Sequence, residues 1–159
     1  MKKFWAVALA LCMTASTALA ANKVVRIGIF QPASGDSGAG GKQETLGSQF
    51  GFHETPTVVI NGETYDVELV YADNGSSPDK APSAAQKLVS AGVSVVLGSY
   101  GSAVSIAGSR YFADAGIPAI GVSCTNPQVT AGNTHYFRVC FLDPFQGTVL
   151  ANYAYNADR

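Results

Sequence analysis

Between Val95 and Pro127 the chain reads VVLGSYGSAVSIAGSRYFADAGIPAIGVSCTNP, and this stretch restricts the possible folds more than any other. A continuous apolar run ends at Gly98 and breaks into a Gly/Ser loop. A helix-compatible segment follows, then Gly116, Pro118 and a second apolar run that ends in Ser123, Cys124, Thr125 and Asn126. Continuous apolar runs suit strands buried on both faces. Two such strands joined by a helix point the same way in a parallel sheet, so both polar ends emerge at one carboxyl edge. Open sheets of this kind bind ligands at that edge, which makes these two loops the first place to look for function.

The same alternation extends in both directions. KVVRIGIF, from Lys23 to Phe30, reads as a short buried strand, and the Gly/Ser loop QPASGDSGAGGKQ follows. A helix is expected from Lys42 to about Glu54, with Leu46, Phe50 and His53 on one face. After Pro56, two β-rich runs flank Asn61-Gly62, a strong hairpin signal, and the second run enters the main sheet near Tyr71. Ser77 as cap, Pro78 at the first helical position, the stripe Ala81, Ala85, Leu88 and Val89, and Gly92 as terminator mark the next helix. Strands Val93 to Leu97 and Ile117 to Val122 flank a helix from Ser102 to Ala115. A fifth strand, His135 to Phe141, precedes a last helix opened by Asp143-Pro144, with Phe145, Val149, Leu150 and Tyr153 as its buried stripe. The expectation is an α/β fold: a doubly wound, mainly parallel sheet flanked by helices.

The Gly/Ser loop fails the tests for a nucleotide site. A phosphate-binding loop needs Gly where Asp36 stands and Ser or Thr where Gln43 stands. The dinucleotide pattern that starts at Gly38 needs Gly at that same Gln43. No cofactor is expected. Neither His53 nor His135 has a His or Cys partner at metal spacing, so no metal is expected either.

The N-terminus, MKKFWAVALALCMTASTALA, has a basic start, an apolar run and a small-residue end at Ala18, Leu19 and Ala20. This is the pattern of a secretory signal, residues 1–20, with a mature start at Ala21 and an apolar core too short to span a bilayer. A lipoprotein anchored through Cys12 is the rival reading, opposed by Leu11, since lipid-attachment sites favour a small residue there. Without that segment 8 basic side chains face 11 acidic ones. Nothing in this balance points to nucleic acid or to an anionic membrane as partner, and no membrane insertion is expected after signal removal. An exported chain could join Cys124 to Cys140, but Cys140 falls in the alternating run HYFRVCF, where a buried free thiol is the commoner outcome.

The ordered set AAQKLVSAGVSVVLGSYGS, FADAGIPAIGVS and TNP resembles the N-terminal lobe of the branched-chain amino-acid-binding proteins of bacterial ABC transporters, the type I periplasmic binding proteins. The resemblance runs from about Val24 to the C-terminus. It implies an exported solute-binding component that holds an amino acid between two lobes and delivers it to the membrane permease, with no bond made or broken. It places residues 21–143 in the first lobe and 144–159 at the start of the crossover to a second, so that the chain reads as interrupted at Arg159. It implies that Ser102, with Tyr100 and Gly101 beside it, holds the ligand carboxylate at a helix N-terminus. By the same resemblance, Ser123 and Thr125, with Cys124 between them, match the family's second ligand segment, where a carbonyl and a hydroxyl meet the ammonium and the carboxylate.

Read without the resemblance, Ser102 is an N-cap and Thr125-Asn126-Pro127 a turn. The sequence also departs from the family. Gly38, Ala39, Gly40 and Gly41 stand where an aromatic often covers the ligand, and Asn74 to Pro78 and Ser99 to Ser102 lack the cysteines of a disulfide found in some members. The second lobe is missing, and with it the family's acidic partner for the ammonium. Two other functions share parts of this pattern. A receptor's ligand-binding lobe has the same fold, and a racemase using Cys124 and Cys140 as thiol bases has a loosely similar Cys-Thr-Asn segment, although two such bases must face one α-carbon from opposite sides.

Overall fold

The first strand of the chain becomes the middle of the sheet. In the computed structural model, which describes residues 23–157, β1 (Val24–Gln31) lies between β3 (Glu63–Asp73) and β4 (Val95–Leu97) and is parallel to both. β5 (Ala119–Gly121) and β6 (Tyr136–Arg138) continue the parallel sheet beyond β4. β2 (Thr57–Ile60) closes the opposite edge antiparallel to β3, and the Asn61-Gly62 turn joins them as the sequence predicts. The order β2-β3-β1-β4-β5-β6 confirms the doubly wound, mainly parallel sheet. The chain leaves β1 in one direction, returns past it and continues in the other. Such a reversal opens a crevice at the carboxyl ends of the two central strands, β1 and β4.

Strand alternation divides the side chains between two unlike faces. Phe30, Ala72, Val96 and Ala119 face α2 (Ala81–Ser90) and α3 (Ser102–Asp114) and join the main core with Ala81, Ala84, Ala85, Leu88, Val104 and Phe112. α2 buries positions at the i, i+3, i+4, i+7 spacing of an amphipathic helix. Phe30 meets Phe112 edge to face with centroids 5.3 Å apart. The other face, with Val25, Ile27, Leu69, Val95 and Leu97, is covered among the described helices by α1 (Gly38–Glu54) and borders an open cavity of about 630 Å³.

Four expectations need correction. α1 begins at Gly38, one turn before Lys42, and turns Glu44, Gly47, Ser48 and Gly51 toward the sheet while Leu46 and Phe50 are exposed. Gly47 and Gly51 border the open cavity, where an added Cβ would meet nothing within 4 Å, and the apolar residues take the outer side. α2 begins at Ala81, and neither Ser77 nor Pro78 starts it. Ser77 instead closes a preceding turn, its carbonyl accepting from the N–H groups of Lys80 and Ala81. The strand expected from His135 to Phe141 is β6 and runs only from Tyr136 to Arg138, so Cys140 lies beyond it, half-buried, and both it and the buried Cys124 are free thiols. Finally, the stripe of α4 (Asp143–Ala157) is exposed at Phe145, Val149, Leu150 and Tyr153, because no other described element packs against it. The expected signal segment, residues 1–20, lies outside the described residues.

Candidate functional site

The crevice between β1 and β4 is floored by a buried polar frame. Asn74, just past β3, Gln31 at the end of β1, Ser99 after β4 and Ser105 on α3 are all buried, and no buried side-chain polar atom among the described residues lacks a partner. Asn74 Nδ2 donates to Ser99 Oγ at 2.9 Å, and Ser99 Oγ donates to the Tyr100 carbonyl at 3.0 Å. Ser105 Oγ donates to the Gly101 carbonyl at 3.0 Å, and Gln31 Oε1 accepts from the Tyr100 N–H at 2.8 Å. A satisfied buried network of this kind holds one loop conformation. Gly98 lets the loop leave β4 so close to β1: its φ is +126°, and a Cβ there would lie 2.2 Å from the Phe30 carbonyl oxygen.

This frame brings the two sequence-predicted segments together. Gly101 is the N-cap of α3 and Ser102 its first residue, so the N-cap alternative for Ser102 does not hold. Ser102 Oγ accepts from the Asn126 N–H at 3.2 Å, which leaves its own proton free to donate. The first N–H groups of α3 have no carbonyl within the helix to bond to, and they face the carboxyl edge with the positive end of the helix dipole. Thr125 is half-buried, its carbonyl taken by the Asp143 N–H, and no described residue bonds its hydroxyl. Ser123 donates a hydrogen bond to Glu44. Tyr100 stands exposed at the edge with its ring over Gly40, where a Cβ would come within 2.5–2.9 Å of three ring carbons. The glycines that replace the usual covering aromatic thus make room for an aromatic from the facing loop.

Cys124 differs from the other five. Its side chain is fully buried toward Gly121 and Tyr136, so only its backbone reaches the edge. Burial pushes its thiol up, against a weaker opposing hydrogen bond from Ser105, and Tyr136 is likewise pushed up by burial. A proton-abstracting thiolate needs the opposite environment.

Two residues that shape the site carry no local sequence signal. Arg138, at the end of β6, donates from Nη1 to the carbonyls of Cys124 and Asn126, both at 2.9 Å. Its Nη2 donates to Thr130 Oγ1 at 2.7 Å and to the Pro127 carbonyl at 3.3 Å. Glu44, from the second turn of α1, accepts from Gln31 Nε2 at 2.6 Å as well as from Ser123. An acidic side chain therefore stands at this edge, where the sequence alone led us to expect none. No group of three or more metal-ligating side chains is found among the described residues, and no helix among them is long and apolar enough to cross a membrane.

A parallel sheet that gathers two polar loops at its reversal point has the architecture on which open α/β folds place ligands, and the comparisons say to which family it belongs. The family described as "Periplasmic binding protein" matches residues 24–158, and the chain belongs to it. The chain is 34% identical over 134 residues to the Leu/Ile/Val-binding protein homolog 1 of Brucella abortus, a match covering 83% of this chain and 36% of that protein. Among solved structures, it is similar to the leucine-binding protein LivK of Thermotoga maritima, with a TM-score of 0.77 and 34% identity, over 84% of this chain and 37% of the other. It is also similar to the branched-chain amino-acid transporter substrate-binding protein LivJ of Streptococcus pneumoniae, solved with isoleucine, with a TM-score of 0.75 and 31% identity, over 84% and 38%. The chain thus spans little more than a third of the length of these relatives, and it corresponds to one lobe of a two-lobed fold.

Proposed function

We propose that this chain is the first lobe of an exported solute-binding component of an ABC transporter, which takes up an amino acid of the branched-chain type and delivers it to a membrane permease. One observation carries the reading. The N-terminus of α3 at Ser102 and the unengaged Thr125 hydroxyl lie on adjoining loops, tied by the Ser102–Asn126 bond, at the reversal point of the sheet. The ligand carboxylate accepts from the α3 N–H groups, Ser102 Oγ and Thr125 Oγ1, while the Ser123 carbonyl faces the ammonium. Tyr100 and Gly101 shape the carboxylate side, and Cys124 contributes backbone alone. Binding without bond chemistry suits a site whose thiol is buried and protonated.

In the family's way of working, a second lobe closes over the ligand, which touches both lobes only in the closed form and so stabilises it. One lobe alone leaves much of the ligand wet, so the 159-residue chain is expected to bind leucine or isoleucine with Kd on the order of millimolar, about −4 kcal/mol. NMR shift titration of the purified chain tests this, with Ser102→Ala and Thr125→Ala each expected to weaken binding by about 1–3 kcal/mol. Unchanged affinity in both variants would remove the assignment.

A further inference from the structure

Two surface carboxylates among the described residues have cation partners: Glu63 pairs with Lys23, and Glu68 with Arg26 at 2.9 Å. The half-buried Glu44 does not. Its hydrogen-bond donors are the neutral Gln31 amide at 2.6 Å and the Ser123 hydroxyl. An ionised carboxylate offers about four acceptor positions, so two neutral donors leave about half of them open. A half-buried charge without a counter-ion is poorly compensated and favours an incoming cation. The neighbouring wall is apolar at Ile27, Leu97 and Val122. Glu44 is moreover one hydrogen bond from the second ligand segment, at Ser123, and two from the first, through Gln31 to the Tyr100 N–H.

We infer that Glu44 receives the ligand's ammonium group, so that this lobe by itself selects a zwitterion over a plain carboxylate of the same carbon skeleton. The inference rests on the proposed function: the ligand's carboxylate lies at Ser102 and Thr125, and its ammonium lies beside Ser123. A neutral glutamine at position 44 keeps the hydrogen-bonding capacity toward Ser123 and removes the charge.

The test compares leucine with isocaproate, which is leucine without its amine, by NMR shift titration of the 159-residue chain and its Glu44→Gln variant. Wild type should prefer leucine by about tenfold, and the variant should lose about tenfold for leucine while isocaproate stays within about twofold, the pattern expected when one charge-assisted contact is removed. Equal weakening toward both ligands would show that Glu44 only positions the loops, and would overturn the inference while leaving the proposed function standing. So would a variant that binds leucine as wild type does. If the variant does not fold, the wild-type ratio decides alone, since equal affinity for the two ligands overturns the inference. Failure of wild type to bind either ligand would overturn the proposed function itself, and the inference with it.

Discussion

Replacing Arg138 by Gln should loosen one ligand loop without touching any ligand group. The guanidinium makes four donor contacts, to three carbonyls and one hydroxyl, across the stretch from Cys124 to Thr130. A hydrogen bond to a charged group contributes about 1.5–3 kcal/mol, and simple addition over four would far exceed what one side chain supplies. All four contacts are only part-buried, so water replaces much of what is lost, and a short amide retains at most one bond. We expect a loss of about 2–3 kcal/mol, a substantial fraction of the roughly 10 kcal/mol that holds a typical domain folded. For a domain of this size that is a fall of about 5–10 °C in Tm. Urea denaturation gives the free energy, and hydrogen exchange locates it: protection should fall around residues 124–130 and stay unchanged in α2. Arg138→Lys should recover only part, because an ammonium cannot span two carbonyls on one side and a hydroxyl on the other. A Gln variant within about 0.5 kcal/mol of wild type, with unchanged exchange in the loop, would refute the staple, since a change that small is what an ordinary surface substitution gives.

The two thiols should differ in reactivity. In the native state Cys140, half-buried, should react with a disulfide reagent on the order of a hundredfold faster than Cys124, which is fully buried and held protonated, and peptide mapping after brief labelling reads the difference. Equal rates would mean that Cys124 faces the edge after all. Asp73 supplies an acid-side dependence. Slight desolvation pushes its carboxyl up, but hydrogen bonds from Ser34 Oγ and from the N–H groups of Gly75 and Ala33 together hold it below its ordinary value. Since the folded value is the lower one, this stabilisation is present above the unfolded value, near 3.8, and is lost as pH falls through the folded value. The stability gap between wild type and Asp73→Asn should therefore be larger at about pH 6 than at about pH 3, as denaturation at each pH will show. A gap independent of pH would mean that the carboxylate charge contributes nothing.

What could be read in the sequence was local. Asn61-Gly62 made its hairpin, and Ala81, Ala85 and Leu88 became the buried side of α2 because their spacing matches one helical face. The two loops at the carboxyl edge followed from strand direction alone, and Ser102 and Thr125 lie on adjoining loops as that argument requires. The misreadings are long-range. α1 was assigned a face by its apolar residues, whereas Gly47 and Gly51 lie toward the cavity beside the strands, an orientation that the spacing within the helix does not state. Glu44 acts on a residue far away in the chain and Arg138 on the loop that precedes its strand, and no periodicity announces a carboxylate or guanidinium that reaches another element. The stripe of α4 has helical spacing, but spacing states which residues share a side and not whether anything covers it.

The central place of β1 also has a kinetic consequence. Ile27 lies beside Leu69 on one side and Val95 on the other, so the earliest strand in the chain is completed only by strands that follow much later. Contacts of such high sequence separation add little to the equilibrium cost, because the entropy of closing a loop grows only with the logarithm of its length. They act on the rate, since a sheet built from distant pairings folds more slowly than one built from neighbours. The β2–β3 hairpin can form as soon as its turn is made, but it presents an open edge until β1 docks against it. β1 in turn keeps an open edge until Val95–Leu97 arrives. During that interval the segment that ends in Gln31 is an unpaired apolar strand, the kind of surface on which misassembly begins.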